Sequence, residues 1–212
     1  DTLKASGPFG RFFVRKSRTT PVMFIAGGSG LSSPKSMILD LLDTGFKQPI
    51  ELFHGTRTAA DVYDKELFET LSSEHKNFSY TPVPFDISDE SGADWVGEHG
   101  ALQDVISQKF EGNFKNWTAY LCGPPGMIEV CIRALMQGRL FEKDIFTEGF
   151  LTSAEAETAS KSKVFKRILQ SQALASDPRS NRHYLRFQLR GELHLAQRLR
   201  QFAVRGLAVG AW

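Results

Sequence analysis

The residues with chemistry to offer cluster at two points of the chain. Gly27-Gly28-Ser29-Gly30 follows the apolar run at residues 22–26 and precedes Met37, Ile38, Leu41 and Leu42, which recur at helical spacing. A strand, a glycine-rich turn and a helix in that order bring bare backbone N–H groups and the positive end of a helix to one point, where a phosphate can bind. Glycine lets the backbone approach a diphosphate because no Cβ intervenes. The spacing is not Gly-x-Gly-x-x-Gly, so the usual dinucleotide fingerprint is not met, and a plain strand-to-helix connection stays open here. The second point is Tyr120-Leu121-Cys122-Gly123-Pro124-Pro125-Gly126-Met127. It too ends a short strand and opens a helix, and Pro125 suits a first helical position. Met127, Ile128, Cys131, Ile132 and Leu135 then form an apolar face.

Other chemistries find little support. His54, His75 and His99 show no ligand spacing, and no Ser-His-Asp arrangement stands out. The two cysteines, Cys122 and Cys131, lie nine residues apart, which is neither metal-ligand spacing nor a disulfide framework. An iron–sulfur cluster needs four cysteine ligands, so none is expected in this chain. A reducing cytoplasm fits that cysteine usage. The chain has 212 residues, which suits one domain or one domain with an appendage. It contains no run of eighteen apolar residues, so no membrane span is expected. The net charge of +2 conceals an asymmetry. From Leu169 onward there are seven arginines, no lysine and two acids, a net +5, which leaves −3 on everything before. A nearly neutral body argues against nucleic-acid binding.

These residues must be positioned by an alternation of strands and helices. Strands are expected at residues 22–26, 50–55, 78–83, 117–121 and 144–150, and helices at 34–42, 62–75, 100–110 and 125–137. Residues 56–61 and 84–98 read as polar loops. The alternation implies an α/β fold, a doubly wound parallel five-stranded sheet with helices on both faces. Ligands of such sheets sit beyond the carboxyl ends of the strands, where the strand order reverses. Both glycine-rich turns lie at carboxyl ends. If the first and fourth strands are neighbours, the turns face each other across that crevice, which predicts a dinucleotide site. The N–H groups of Gly28 to Leu31 would hold the diphosphate. Ser29 is either a hydroxyl donor toward the nicotinamide side or a turn-forming serine. By residue type alone Cys122 is a small buried hydrophobe. Arg57 is either a solvated loop arginine or a reader of the adenosine ribose.

Together, Gly-Gly-Ser-Gly and Cys-Gly-Pro-Pro-Gly-Met resemble the NAD-binding domain of the ferredoxin-reductase-like flavoprotein reductases. Within that superfamily the chain is most similar to the reductase component of multicomponent phenol hydroxylases. The supporting stretches are Gly7-Pro8-Phe9-Gly10-Arg11-Phe12-Phe13, residues 24–37, Met136-Gln137-Gly138-Arg139-Leu140-Phe141-Glu142 and Phe165-Lys166-Arg167-Ile168. The resemblance covers residues 6–168. It implies that Cys122 packs beside the nicotinamide ring and helps set the distance for transfer. It implies that Glu148 and Phe150 form the acid and aromatic at the end of the last strand, the aromatic covering the flavin ring until nicotinamide displaces it. Without the resemblance, Phe150 is a core residue at a strand end. The family's basic residue between acid and aromatic is here Gly149. The residues expected to act in transfer are therefore Cys122, Ser29, Glu148 and Phe150. The expected cofactor contacts are Gly27, Gly28, Ser29, Gly30, Leu31, Gly55, Arg57, Cys122, Gly123, Pro124, Met127 and Phe150. No metal ligands are expected. The loop Thr56-Arg57-Thr58-Ala59-Ala60-Asp61 sets one arginine against an acid and lacks a basic cluster for a 2′-phosphate, which favours NADH over NADPH.

The resemblance further implies a domain order. Residues 1–17 are expected to be the end of a flavin-binding barrel, with a remnant hairpin, residues 18–152 the NAD-binding domain, and residues 153–212 a poorly ordered extension. The family's Arg-x-Tyr-Ser flavin motif is missing and the chain begins at Asp1, so a C-terminal fragment is expected. The arginine-rich tail reads as foreign to the domain, as a frame change or a vector-encoded extension would be; the alternative is a basic helix for an acidic partner or a membrane surface. The implied activity is passage of a hydride from NADH to FAD, and of electrons through a [2Fe–2S] cluster to the oxygenase component of a phenol hydroxylase. The complete protein would house FAD and the cluster. It is expected to act as a cytoplasmic monomer without nucleic-acid partners. The alternatives are a reductase for a methane, alkene or toluene oxygenase, and a non-catalytic nucleotide-binding module.

Overall fold

The computed structural model describes residues 12–149. Every element below lies within the compact unit that begins at Val14. Five strands, β1 (Val22–Gly27), β2 (Ile50–Thr58), β3 (Phe78–Asp86), β4 (Thr118–Gly123) and β5 (Ile145–Gly149), form one sheet in the order β3-β2-β1-β4-β5. All four pairings are parallel. The helices are α1 (Ser32–Asp43), α2 (Lys65–Glu74), α3 (Leu102–Lys109) and α4 (Pro125–Gln137). The order reverses between β1 and β4, whose register runs from Val22↔Thr118 to Ala26↔Cys122. The doubly wound α/β reading holds. Residues 1–11 of the expected remnant hairpin fall outside the described residues, as do the tail and Phe150, and residues 12–17 carry no strand.

Side chains of opposite parity feed two layers, as strand geometry requires. Met23, Ile25, Phe53, Ala119 and Leu121 join Val105 and Ile106 of α3 and Ile128, Ile132 and Leu135 of α4 in one buried cluster. On the other parity Phe24 and Tyr120 stack at 5.3 Å, and Tyr120 stacks on Phe146 at 5.1 Å. Phe68 of α2 closes on Tyr80 at 5.1 Å. Residues ahead of β1 are tied to this layer. The Arg15 backbone N–H donates to Tyr120 Oη at 2.8 Å, and its guanidinium lies 4.3 Å above the Phe146 ring.

Three boundaries differ by three residues from the sequence expectation, the others by two or fewer. β2 continues to Thr58 rather than stopping at Gly55, because the β2–β3 ladder runs on to Thr58↔Asp86. β3 likewise reaches Asp86 despite Pro82 and Pro84. It is an edge strand, where a missing N–H can face away from the ladder. α2 starts at Lys65 rather than residue 62, because Asp64 takes a left-handed conformation (φ 56°) and cannot belong to the helix. No helix among the described residues is long and apolar enough to cross a membrane.

Candidate functional site

The glycine turn after β1 is a four-residue 3-10 turn, Gly28–Leu31, leading directly into α1. Gly28 sits at φ 50°, the left-handed region that glycine enters without strain. A Cβ on Gly28 would meet nothing within 4 Å. Gly30 is different. A Cβ there would lie 2.6 Å from the Cys122 carbonyl carbon and 2.8 Å from Gly123 Cα. The two glycine-rich segments are therefore in backbone contact across the reversal of strand order.

Beside them opens a cavity of about 730 Å³, within the range of roughly 300–1,000 Å³ typical of small-molecule and cofactor sites. Gly27, Gly28 and Ser29 line it from the first turn, and Pro124 and Met127 from the start of α4. Gly55 and Arg57 line it from the end of β2. A Cβ on Gly55 would lie 2.9 Å from a Leu102 methyl, so the glycine lets α3 close against β2. Seven of the expected contact residues thus surround one space. Gly30, Leu31 and Gly123 do not line it; Gly30 and Leu31 are buried behind the turn.

Cys122 does not line that cavity and is fully buried. It belongs to a second group with Ser33 and Glu148. The Ser33 hydroxyl donates to Glu148 Oε2 at 3.2 Å and faces the Cys122 side chain. Burial first, then the Glu148 charge, pushes the thiol up to about 12, against the opposing effect of the Ser33 hydroxyl. A thiol so placed stays protonated and is no nucleophile. Among the described residues no group of His, Cys, Asp and Glu could hold a metal ion.

Electrostatics at the Arg57 end of the cavity are mixed in sign. Asp61 Oδ2 accepts from the Thr58 backbone N–H at 3.0 Å and from its hydroxyl at 2.9 Å. These bonds, with a smaller contribution from the Arg57 charge, hold Asp61 below the usual carboxylate range. Asp86 is lowered by hydrogen bonds from Ser88 and, less, by the same arginine. Both acids remain ionised beside one guanidinium.

Sequence reasoning missed several lining residues. Val83 and Phe85 come from the end of β3, and Gly100 to Gln103 from the approach to α3 and its first turn. The rule that ligands gather at carboxyl ends of strands could have found the first pair. Phe85 is 66% exposed, an unusual state for a phenylalanine at a cavity rim. Ser33 lies within the resembling stretch 24–37 and Tyr63 within the helix expected at 62–75, but neither carries a functional signal in the sequence.

Residues 24–133 match the family described as the oxidoreductase NAD-binding domain. The chain is 52% identical over 169 residues to the phenol 2-monooxygenase reductase component DmpP of Pseudomonas sp. (strain CF600), covering 79% of this chain and 47% of that protein. It is 49% identical over 169 residues to the phenol hydroxylase P5 protein of Acinetobacter pittii (strain PHEA-2), with coverages of 79% and 47%. Among solved structures it is similar to the Amycolatopsis cytochrome P450 reductase GcoB, with a TM-score of 0.60 and 29% identity, covering 68% of this chain and 42% of that one. The chain thus spans about half the length of the curated relatives it matches.

Proposed function

The chain belongs to the oxidoreductase NAD-binding domain family, and we propose that it is the dinucleotide-binding half of a flavoprotein reductase serving the oxygenase component of a phenol hydroxylase. The observation that carries this reading is the cavity of about 730 Å³ beside the reversal of strand order, bounded by both glycine-rich segments. The similarity to the phenol 2-monooxygenase reductase component supports the choice of partner and of a phenol-like substrate class.

The residues fit a dinucleotide. Gly28 leaves open space where a diphosphate needs to approach the backbone, and the N–H groups of Gly28 and Ser29, the turn residues that line the cavity, would hold it, with the start of α1 behind them. Arg57 would face the adenosine ribose. Asp61 and Asp86 beside it would repel a 2′-phosphate, so NADH is preferred to NADPH. Gly27, Gly55, Pro124 and Met127 shape the walls. At the other end, Ser33 would fix the Glu148 carboxylate beside the Cys122 thiol. Ser29, Gly123 and Phe150 complete the proposed nicotinamide end, Phe150 by covering the flavin until nicotinamide displaces it. Bound NADH supplies the hydride, to FAD held by the half of the protein outside this chain. A [2Fe–2S] cluster, with four cysteines of its own, would lie there too. The complete protein would act in the cytoplasm as a monomer.

Calorimetric titration tests the site. Saturable NADH binding is expected, with NADPH at least about tenfold weaker, or about 1.4 kcal/mol. A form extended upstream through the remaining half should reduce ferricyanide with NADH, and the present chain should not. An absence of NADH binding by both forms would refute the reading.

A further inference from the structure

Tyr63 belongs to none of the motifs above. It follows the 3-10 turn Ala59–Asp61 and lines the cavity, 41% exposed. Its hydroxyl donates to the Gly28 carbonyl oxygen at 3.0 Å. Gly28 and Leu31 are the first and last residues of the glycine turn. The hydroxyl therefore holds the carbonyl of the first residue of that turn.

The tyrosine is itself held from two sides. The buried His54 ring stands edge-on to it at 5.1 Å and 83°, with Nδ1 3.4 Å from Tyr80 Oη. The next residue, Asp64, pairs with Lys35 Nζ of α1 at 2.6 Å. The strut thus runs from β3 through β2 to the turn, and a salt bridge ties its base to α1.

A peptide group is planar and almost always trans, so its C=O and N–H point in opposite directions. Holding the Gly28 carbonyl fixes the direction of the Ser29 N–H. That N–H lies in the first turn of its helix, where no preceding helical carbonyl can accept it. Gly28, at φ 50°, has no Cβ to restrict its backbone. We infer that Tyr63 is a positioning residue for dinucleotide binding: its hydroxyl staples the Gly28–Leu31 turn in the orientation that offers the Ser29 N–H to a diphosphate. This rests on the reading of the turn as the diphosphate site.

Tyr63→Phe removes the hydroxyl and keeps the ring against His54. ADP and adenosine are the probes, titrated into the full chain. ADP affinity should fall about fivefold to tenfold in Tyr63→Phe, the loss of one orienting hydrogen bond. Adenosine affinity should change less than about twofold, because adenosine has no phosphate for the turn to hold. The Ser29 amide resonance should shift or broaden while those of α3 stay in place. Equal weakening of both probes would mark a merely structural role and overturn the proposal, as would unchanged ADP binding. If the unsubstituted chain binds ADP no tighter than adenosine, the diphosphate reading itself falls, and the proposal with it. Tighter ADP binding that is insensitive to Tyr63→Phe removes only the proposal.

Discussion

Two glycines two residues apart should respond to the same substitution in opposite ways. At Gly28 an added Cβ meets nothing within 4 Å, so alanine costs only the left-handed backbone at φ 50°, about 1–2 kcal/mol. In a domain of this size that is a fall in Tm of roughly 3–8 °C. The open space is where the diphosphate is proposed to lie. A methyl group there should weaken NADH by at least about tenfold, since the phosphate must move off its backbone donors. At Gly30 the Cβ would meet the Cys122 carbonyl and Gly123 Cα, which are backbone and cannot rotate away. Overpacking against rigid neighbours costs about 1–3 kcal/mol, and more when backbone must shift. Gly30→Ala should therefore lose on the order of 3 kcal/mol or more, a large part of a typical total of about 5–15 kcal/mol. Urea unfolding followed by circular dichroism, with calorimetric NADH titration of each variant, separates the effects. A Gly28→Ala chain that binds NADH as tightly as the parent, or a Gly30→Ala chain equally stable to urea, would refute the reasoning.

The buried titratable groups predict how stability moves with pH. Cys122 and Cys131 are both pushed up to about 12, chiefly by burial. Their pKa values are raised in the folded state, so the stabilisation is complete below pH 9 and is lost as pH rises toward 12. The slope is on the order of 1 kcal/mol per pH unit for each thiol; Cys131→Ala should make the alkaline fall in urea midpoint shallower. The same protonated, buried thiols should resist iodoacetamide at pH 8 in the folded chain and react once urea unfolds it. His54 is displaced the other way, down to about 4 by burial. Its contribution is present above pH 6.5 and is lost as pH falls toward 4, on the order of 3 kcal/mol in all. Replacing it with glutamine should flatten that limb of the stability–pH curve, measured as urea midpoints between pH 7 and 4.

What the sequence made legible was local. The run into Gly27, the helix opened at Pro125 and the apolar face of Ile128, Cys131, Ile132 and Leu135 each follow from spacing and residue type, and the structure places them accordingly. The reversal between β1 and β4 follows once the fold class is accepted, because only that neighbourhood sets both glycine segments at one crevice. The strand ends at Thr58 and Asp86 were hidden because Thr-Arg-Thr and Pro-Val-Pro-Phe carry turn chemistry in isolation and become strand only through their mutual ladder. Cys122 shows the same limit. Its motif puts it at the second turn, yet it is fully buried and does not line the cavity, lying beside Ser33, whose hydroxyl donates to Glu148 across a separation of 115 positions. Tyr63 is 35 residues from the carbonyl it holds. Contacts of that separation carry no periodicity and no local composition, so sequence spacing is blind to them. The site therefore splits into two kinds of part. The backbone donors are written in glycine and can be read from the chain. Ser33, which holds Glu148, and Tyr63, proposed to orient those donors, are ordinary residues, recognisable only once the sheet has brought distant turns together.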